Sequence, residues 1–282
     1  KVLVGCAPCQ PFSNYSLRYK NSKTHDEKWK LLYEFSRIIK ETEPDIISME
    51  NVPQLINKDI FQDFIKQLDA LKYHYSFSIV NSADYGVPQN RKRLVLLASK
   101  FGKISIIPPT YNKTNYVTVR KAISCLNKIN HGETDPLDPL HRSSRLSKIN
   151  LVRIQHSKPG GTWEDWDKSL QLPCHQKATG SRYKAIYGRM EWDKPSPTIT
   201  TQFYGYGSGR FGHPEQNRGI SIREGALLQS FPINYRFIDQ THQLSNSILG
   251  SQIGNAVPVE LGKAIGISII NHIRNFNKHE QA

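Results

Sequence analysis

Cys6 and Cys9 stand in "VGCAPCQPFS", a C-x-x-C at the end of an apolar run near the start of the 282-residue sequence. That spacing suits a redox dithiol or half of a zinc site. Zinc needs a second ligand pair at close spacing, and the candidate pair, Cys174 and His175, is distant and has no matching partner. A dithiol is expected where a strand meets a helix, whereas the stretch after Cys9 is a polar loop. A third reading separates the two thiols. Cys6 packs within the strand, and Cys9, past Pro8, sits at the strand's carboxyl end, where an open α/β sheet presents reactive groups. A nucleophilic thiol there needs partners from neighbouring strand ends. The stretch "DIISMENVP" supplies Glu50 and Asn51 at the end of the next apolar run. A carboxyl group held there, partly desolvated, would stay protonated and serve as a general acid, the alternative being a turn-forming "ENVP". "VPQNRKRLVLL" adds Arg91 and Arg93, which alternate on the approach to a strand and so can point to one site. Guanidinium groups favour phosphates or a carbonyl oxygen, although two arginines equally suit a solvated face.

The elements that must position these groups follow from hydrophobic spacing. Residues 2–5 form a short apolar run ended by Gly, Cys and Pro, a buried strand. Residues 10–26 are polar and read as a loop. Over residues 25–43, Trp29, Leu32, Phe35, Ile38 and Ile39 recur at helical spacing, and Pro44 closes the helix. Residues 45–49 are a second strand. Residues 60–71 are a helix with Phe61, Phe64, Ile65, Leu68 and Leu71 on one face. Residues 75–80 and 93–98 are strands separated by the turn "DYGVPQN". The order β-α-β-α-β-β predicts an α/β sheet with helices on its faces. From about residue 108 helical periodicity weakens and Gly, Pro, Thr and Ser rise, which predicts a second, irregular, strand-and-loop module. Helical signals return over 221–231 and 259–273.

Composition narrows the partners. A chain that is 38% hydrophobic and 10% aromatic affords a packed core. No stretch approaches the ~20 apolar residues of a membrane span, and no secretory signal is visible. Four scattered cysteines make no disulfide framework, so a reducing, cytoplasmic setting is expected. The net charge is +14, and the segment from Leu94 to Asn217, with 18 Lys+Arg against 9 Asp+Glu, carries +9 of it. A basic, aromatic-bearing segment of this kind suits a nucleic acid.

Five ordered stretches, "PCQPFS" (8–13), "ENV" (50–52), "QNRKR" (89–93), "RGISIREGALLQSFP" (218–232) and "QIGNAVP" (252–258), resemble motifs of the DNA (cytosine-5) methyltransferases. The resemblance implies a Rossmann-like S-adenosylmethionine-dependent sheet plus a smaller, irregular, β-rich target-recognition domain. It implies that Cys9 adds to C6 of a cytosine, that Glu50 holds or protonates N3, and that Asn51 shapes the Cys9 loop. Arg91 and Arg93 would contact the cytosine O2 and the neighbouring backbone. The cytosine must be flipped from the duplex, and residues 12–28 would close over it. Gln10, Ser13, Thr198 and Arg210 are implied DNA contacts, Thr198 on a phosphate. Pro8, Gln252, Asn255 and Val257 are implied to form part of the cofactor site. Arg223 and Glu224 read as scaffold.

The sequence departs from the family pattern in one respect. The Gly-rich strand-to-helix turn for the methionine end of S-adenosylmethionine, and the acidic residues for its ribose and adenine, are not found. Lys1 begins on what would be the fourth strand, so three strands of the sheet are expected to be missing. A fragment, a partner subunit carrying that motif, or a degenerate relative that only binds DNA each accounts for this. The expected organisation is a catalytic part over 1–110, recognition and hinge over 111–245, and a return to the catalytic domain over 246–282. The expected activity is methylation of double-stranded DNA in a bacterial restriction-modification system, the alternative being a DNA-binding subunit or inactive relative that needs a partner chain for the cofactor site. No metal is expected.

Overall fold

The computed structural model describes residues 1–7, 30–177, 183–237 and 245–280. It divides into two units, one of Lys1–Tyr85, Lys92–Thr110 and Leu261–Ala282, the other of Gly86–Arg91 and Tyr111–Glu260. The segment before Leu261 thus groups with the second unit, and residues 86–91 leave the first unit just ahead of a strand.

Unit 1 is built on a four-stranded mixed sheet in the order β1-β2-β4-β3. β1 (Val2–Gly5) runs parallel to β2 (Ile46–Asn51), while β2 and β3 (His74–Asn81) pair antiparallel with β4 (Lys92–Ser99). All six residues of β2 are buried, as a near-continuous apolar run requires of a central strand. α1 (Leu31–Thr42) and α2 (Asp59–Ala70) bury Leu32, Phe35 and Ile39, and Ile60, Phe61, Phe64 and Leu68. These join Ile47, Met49, Leu94 and Leu96 of the sheet in one core. A Cβ on Gly5 would lie 2.3 Å from the Phe35 ring, so only glycine lets α1 approach β1 this closely.

Cys6, expected to pack within the first strand, instead follows it and is exposed. Side chains alternate along a strand, and Cys6 shares the face of Val2 and Val4, which are 48% and 66% exposed. From Leu261 onward α7 (Val259–Glu280) buries Leu261, Ala264, Ile265 and Ile269. Ser268 Oγ accepts the Ile107 N–H at 2.9 Å, and Phe276 stacks on Phe101 at 4.5 Å. Contrary to the expectation from composition, Asn246–Lys278 contains an 18-residue window of mean hydropathy 1.3, sufficient by length and composition for a membrane span. Residues 256–258 interrupt the helix, however, and Leu249, Ile253, Leu261, Ile265 and Ile269 on it are buried within the protein.

In unit 2 the β-rich expectation is corrected. Among the described residues its strands are β5 (Thr134–Asp135) and β6 (Asp138–Arg142), which form a two-stranded sheet, with isolated bridges elsewhere. Its helices are α3 (Val119–Ile123), α4 (Lys148–His156), α5 (Ile222–Leu228) and α6 (Asn246–Asn255). Val119, Ile199, Phe203, Ile220, Ile222, Leu249 and Ile253 share its main core.

Stretches such as "SKPGG" and "DKPSP" cannot sustain ladders, and buried arginines take up the carbonyls that ladders would have used. Arg189, 4% exposed, donates to the carbonyls of Ser157 (2.9 Å), Ile154 (2.8 Å), His213 (2.8 Å) and Gln216 (2.6 Å). Arg218, fully buried, donates to Ile129 O and Gly219 O and makes a two-pronged pair with Glu224, both contacts at 2.7 Å.

Glu224 also closes a capping box on α5. Its carboxylate accepts the Ser221 N–H at 2.6 Å, and Ser221 Oγ accepts the Glu224 N–H at 3.0 Å. Burial alone would raise the Glu224 pKa, but the hydrogen bonds and charge of Arg218 outweigh it and bring the value down to about 2. His213 goes the other way from its own norm. Burial, helped by Arg218 and Arg189, outweighs Glu224 and lowers its pKa to about 4. Its Nδ1 accepts the N–H groups of Glu215 (3.1 Å) and Gln216 (2.9 Å), which requires that nitrogen unprotonated. The 3.6 Å approach to Glu224 is therefore not an ion pair near neutral pH.

The sign of the pH dependence follows. Between pH 6.5 and 4 the unfolded chain binds the His213 proton and the native chain does not, so stability is full above about 6.5 and drains as pH falls. The size is about 3 kcal/mol from the shift. Glu224 adds a further loss below its unfolded value, as pH falls toward about 2. Urea denaturation across this range should show the slope, and His213→Gln should flatten the upper part of it. Arg218→Ala, which strands a buried carboxylate, should cost about 3–5 kcal/mol.

Candidate functional site

The carboxyl end of β2 carries Glu50 and Asn51, opposite Val95 and Leu94 of β4. Arg93, two residues before Val95, lies on the same face of β4 and so reaches Glu50 diagonally. Its Nε is 2.9 Å from Glu50 Oε1, and its Nη1 donates to Lys92 O at 2.8 Å. Glu50 is 9% exposed. The desolvated carboxyl that the sequence suggests is thus an ion-paired one, its position set by a neighbouring guanidinium. Asn51 Nδ2 donates to Ala7 O at 3.1 Å, and Asn51 Oδ1 accepts the Val52 N–H at 2.8 Å. The end of β2 is therefore tied to the backbone just beyond β1. Pro8, Cys9, Gln10, Ser13 and the loop over 12–28 lie outside the described residues.

Arg91 has a different use from Arg93. It is 3% exposed, and its Nη1 donates to Ile199 O at 3.0 Å while Nη2 donates to Gly254 O at 3.1 Å. Both acceptors belong to unit 2. Gln89, which the sequence did not single out, works beside it. Gln89 Nε2 donates to Leu228 O (3.0 Å) and Gln229 Oε1 (2.9 Å), and Oε1 accepts the Ile199 N–H at 2.9 Å. Gln229 Nε2 donates to Ile253 O at 2.6 Å. Three stretches of unit 2, around 88–91, 196–199 and 253–256, are joined this way. Gly250 and Gly254 complete the join: a Cβ on either would come within 2.6 Å of the Thr200–Thr201 backbone.

Thr198, expected on a phosphate, donates its hydroxyl to Asn90 O at 2.8 Å. Arg210 donates Nη1 to Gly161 O at 2.6 Å. Arg223 pairs with Asp138 at 2.6 Å. Gln252 and Asn255, three residues apart on α6, share one face and are exposed, and Val257 is half-buried. Neither amide makes a side-chain hydrogen bond among the described residues.

Comparison with known proteins agrees with this fold. The family model for C-5 cytosine-specific DNA methylase matches residues 1–271. A Type II methylase, M.HgiDII of Herpetosiphon aurantiacus, is 54% identical over 284 residues, covering 100% of this chain and 79% of the relative. A Type II methyltransferase, M1.HphI of Haemophilus parahaemolyticus, is 33% identical over 95% of this chain and 68% of its own length. The methyltransferase EhMeth of Entamoeba histolytica superposes with a TM-score of 0.63 at 16% identity, over 96% of this chain and 77% of that one.

If Arg91 is a fastener of unit 2, Arg91→Lys should lower its stability, because an ammonium cannot serve Ile199 O and Gly254 O as a fork does. The expected loss is about 2 kcal/mol in chemical denaturation, and an unchanged midpoint would contradict the assignment.

Proposed function

The chain belongs to the C-5 cytosine-specific DNA methylases, and from that premise we propose that it serves a Type II restriction-modification system in the bacterial cytoplasm. Its substrate is one cytosine within a specific sequence of double-stranded DNA. The observation that carries this reading is the buried end of β2. There Glu50 is held by Arg93 at 2.9 Å, beside an asparagine fastened to the backbone two residues ahead of Cys9.

The roles follow from the chemistry of the base. C6 of cytosine is a weak electrophile; in this reading Glu50 takes up a proton from solvent as the base enters, and the carboxylic acid then hydrogen-bonds or protonates N3, which draws electron density away from C6. The Cys9 thiolate then adds to C6, leaving C5 electron-rich. S-adenosylmethionine, when bound, supplies an electrophilic methyl group for C5. A base removes the C5 proton, and the Cys9–C6 bond breaks to restore the aromatic ring. Asn51 fixes the backbone at Ala7 and so the direction from which Cys9 approaches. Arg93 keeps the Glu50 carboxylate pointed at the base. The target has to leave the stack, because C6 is covered in a duplex.

Pro8, Gln252, Asn255 and Val257 form part of the donor's site in this reading. A Gly-rich turn would hold its methionine end in this reading. We assign it to sequence outside these 282 residues, in the same polypeptide or in a partner. Gln10, Ser13 and Arg210 are proposed DNA contacts. Thr198 donates its one hydroxyl proton to Asn90 O and so shapes its loop; it would reach a phosphate only by exchanging that bond for one to the phosphate oxygen.

Duplex DNA with 5-fluorocytosine in the target, offered with S-adenosylmethionine, should trap the protein covalently, since fluorine at C5 cannot leave as a proton does. Cys9→Ser should abolish trapping, and Cys6→Ser should leave it intact. Dependence on both thiols, or on neither, would sink the mechanism. Trapping that begins only when a second polypeptide is added would place the Gly-rich turn on a partner. The affinity for DNA should fall linearly on a log–log salt plot, with a slope of about −0.9 per phosphate contacted.

A further inference from the structure

Unit 2 contains a cavity of about 270 Å³ whose wall includes Asn90, Glu191, Lys194, Pro195, Pro197 and Arg210. That is the volume of about nine water molecules. Two of its charged groups are held in place by glycines. The carboxylate of Glu191 lies over Gly160, where a Cβ would come within 2.7 Å of Glu191 Cδ and where φ is +75°. The stem of Arg210 lies over Gly188, where a Cβ would stand 3.2 Å from both Cγ and Nη1.

The hydrogen bonds leave each group one side to offer. Arg210 spends Nη1 on Gly161 O at 2.6 Å. Its Nε and Nη2, the two parallel donors of the guanidinium's side, make no hydrogen bond among the described residues. Glu191 spends Oε2 on Lys194 at 2.8 Å, and Oε1 remains an acceptor. Arg210 and Glu191 do not pair with each other, although opposite charges on one cavity wall would gain by doing so.

A fixed two-donor fork and a fixed carboxylate select their ligand. A phosphate meets Arg210 well but leaves the Glu191 Oε1 acceptor without a donor, the Lys194 ammonium being spent on Oε2. Guanine offers O6 and N7 as two parallel acceptors, and its paired cytosine offers the N4 amino group as a donor. An A·T pair would turn the adenine N6 amino group toward the fork, donor against donor. We infer that Arg210 and Glu191 together read one G·C pair of the target in the major groove, Arg210 on guanine and Glu191 on its cytosine. The inference rests on the proposed methyltransferase activity and names its specificity-determining residues.

Bisulfite sequencing of plasmid DNA methylated in vitro gives the wild-type target and the preference at each position. Arg210→Lys removes the fork, and Glu191→Gln replaces the charged acceptor with an amide. Both should relax the same single G·C position, with preference there falling about 10- to 100-fold. In the wild type, 7-deazaguanine at that position, which lacks N7, should weaken methylation, and in Arg210→Lys it should make little difference. An unchanged profile, relaxation at different positions in the two variants, or uniform weakening on every sequence with a shallower salt slope would overturn the inference, the last marking a phosphate contact. If Arg210→Lys does not fold, the 7-deazaguanine series with wild type decides: a target with no sensitive guanine ends the proposal. A wild type that methylates no cytosine refutes the proposed function and this inference with it. A wild type that methylates with an insensitive profile refutes this inference alone.

Discussion

Carbonyl groups in a domain built mostly from turns still need donors once they are buried, and in unit 2 those donors are guanidinium groups. Arg189 gathers carbonyls from Ile154, Ser157, His213 and Gln216, four points that no strand or helix would bring together. Arg218 adds Ile129 and Gly219 and carries its own counter-charge in Glu224. Burying a guanidinium costs several kcal/mol unless its donors are used, so each of these arginines is tolerable only in the arrangement it enforces. The constraint runs both ways. Glu224 must stay ionised for Arg218, and His213 must stay neutral to accept two backbone amides, so the interior of this unit depends on a fixed protonation pattern.

The two units therefore position chemistry by different means. In unit 1 the sheet register does it. Glu50 lies opposite Val95, Arg93 falls two residues along β4, and the pair forms across the strands with no special loop. In unit 2 position comes from side-chain clamps. Arg91, Gln89 and Gln229 join the stretches around 88–91, 196–199 and 253–256, and two glycines on α6 let the backbone of Thr200–Thr201 sit against the helix.

This contrast explains what the sequence revealed. The strands and helices of unit 1 were legible because α1 and α2 keep the 3.6-residue period that one-sided burial imposes, and β2, buried on both faces, reads as a continuous apolar run. Cys6 was misplaced because an apolar run does not say which face of an edge strand is covered, and Val2, Val4 and Cys6 share the open one. Arg91 and Arg93 look alike in "QNRKR", and alternation along a strand suggests one destination. Yet Arg91 lies just ahead of β4, and its guanidinium goes to carbonyls of unit 2. Unit 2 was illegible as architecture because clamps leave no period. Nothing in "GRMEWDKP" marks Arg189 as a buried hub or Glu191 as a cavity wall, since each depends on partners more than twenty residues away.

Clamps also account for how a turn-rich unit can present groups for recognition. Reading a base edge requires donors and acceptors placed to within hydrogen-bond tolerance, and loops held only by their ends do not achieve that. Here the loops that carry Glu191 and Arg210 pass directly over the Arg189 hub: Gly160 N–H donates to Arg189 O at 3.1 Å, and Met190 N–H donates to Gly212 O at 2.9 Å. The residues that fix the frame are inward arginines, and Glu191, two residues after Arg189, faces the cavity. A substitution at 191 changes the face and leaves the carbonyl donors of Arg189 and Arg218 in place, whereas one at 210 also gives up the bond to Gly161 O. Separating frame from face in this way lets recognition vary while the fold that supports it is kept.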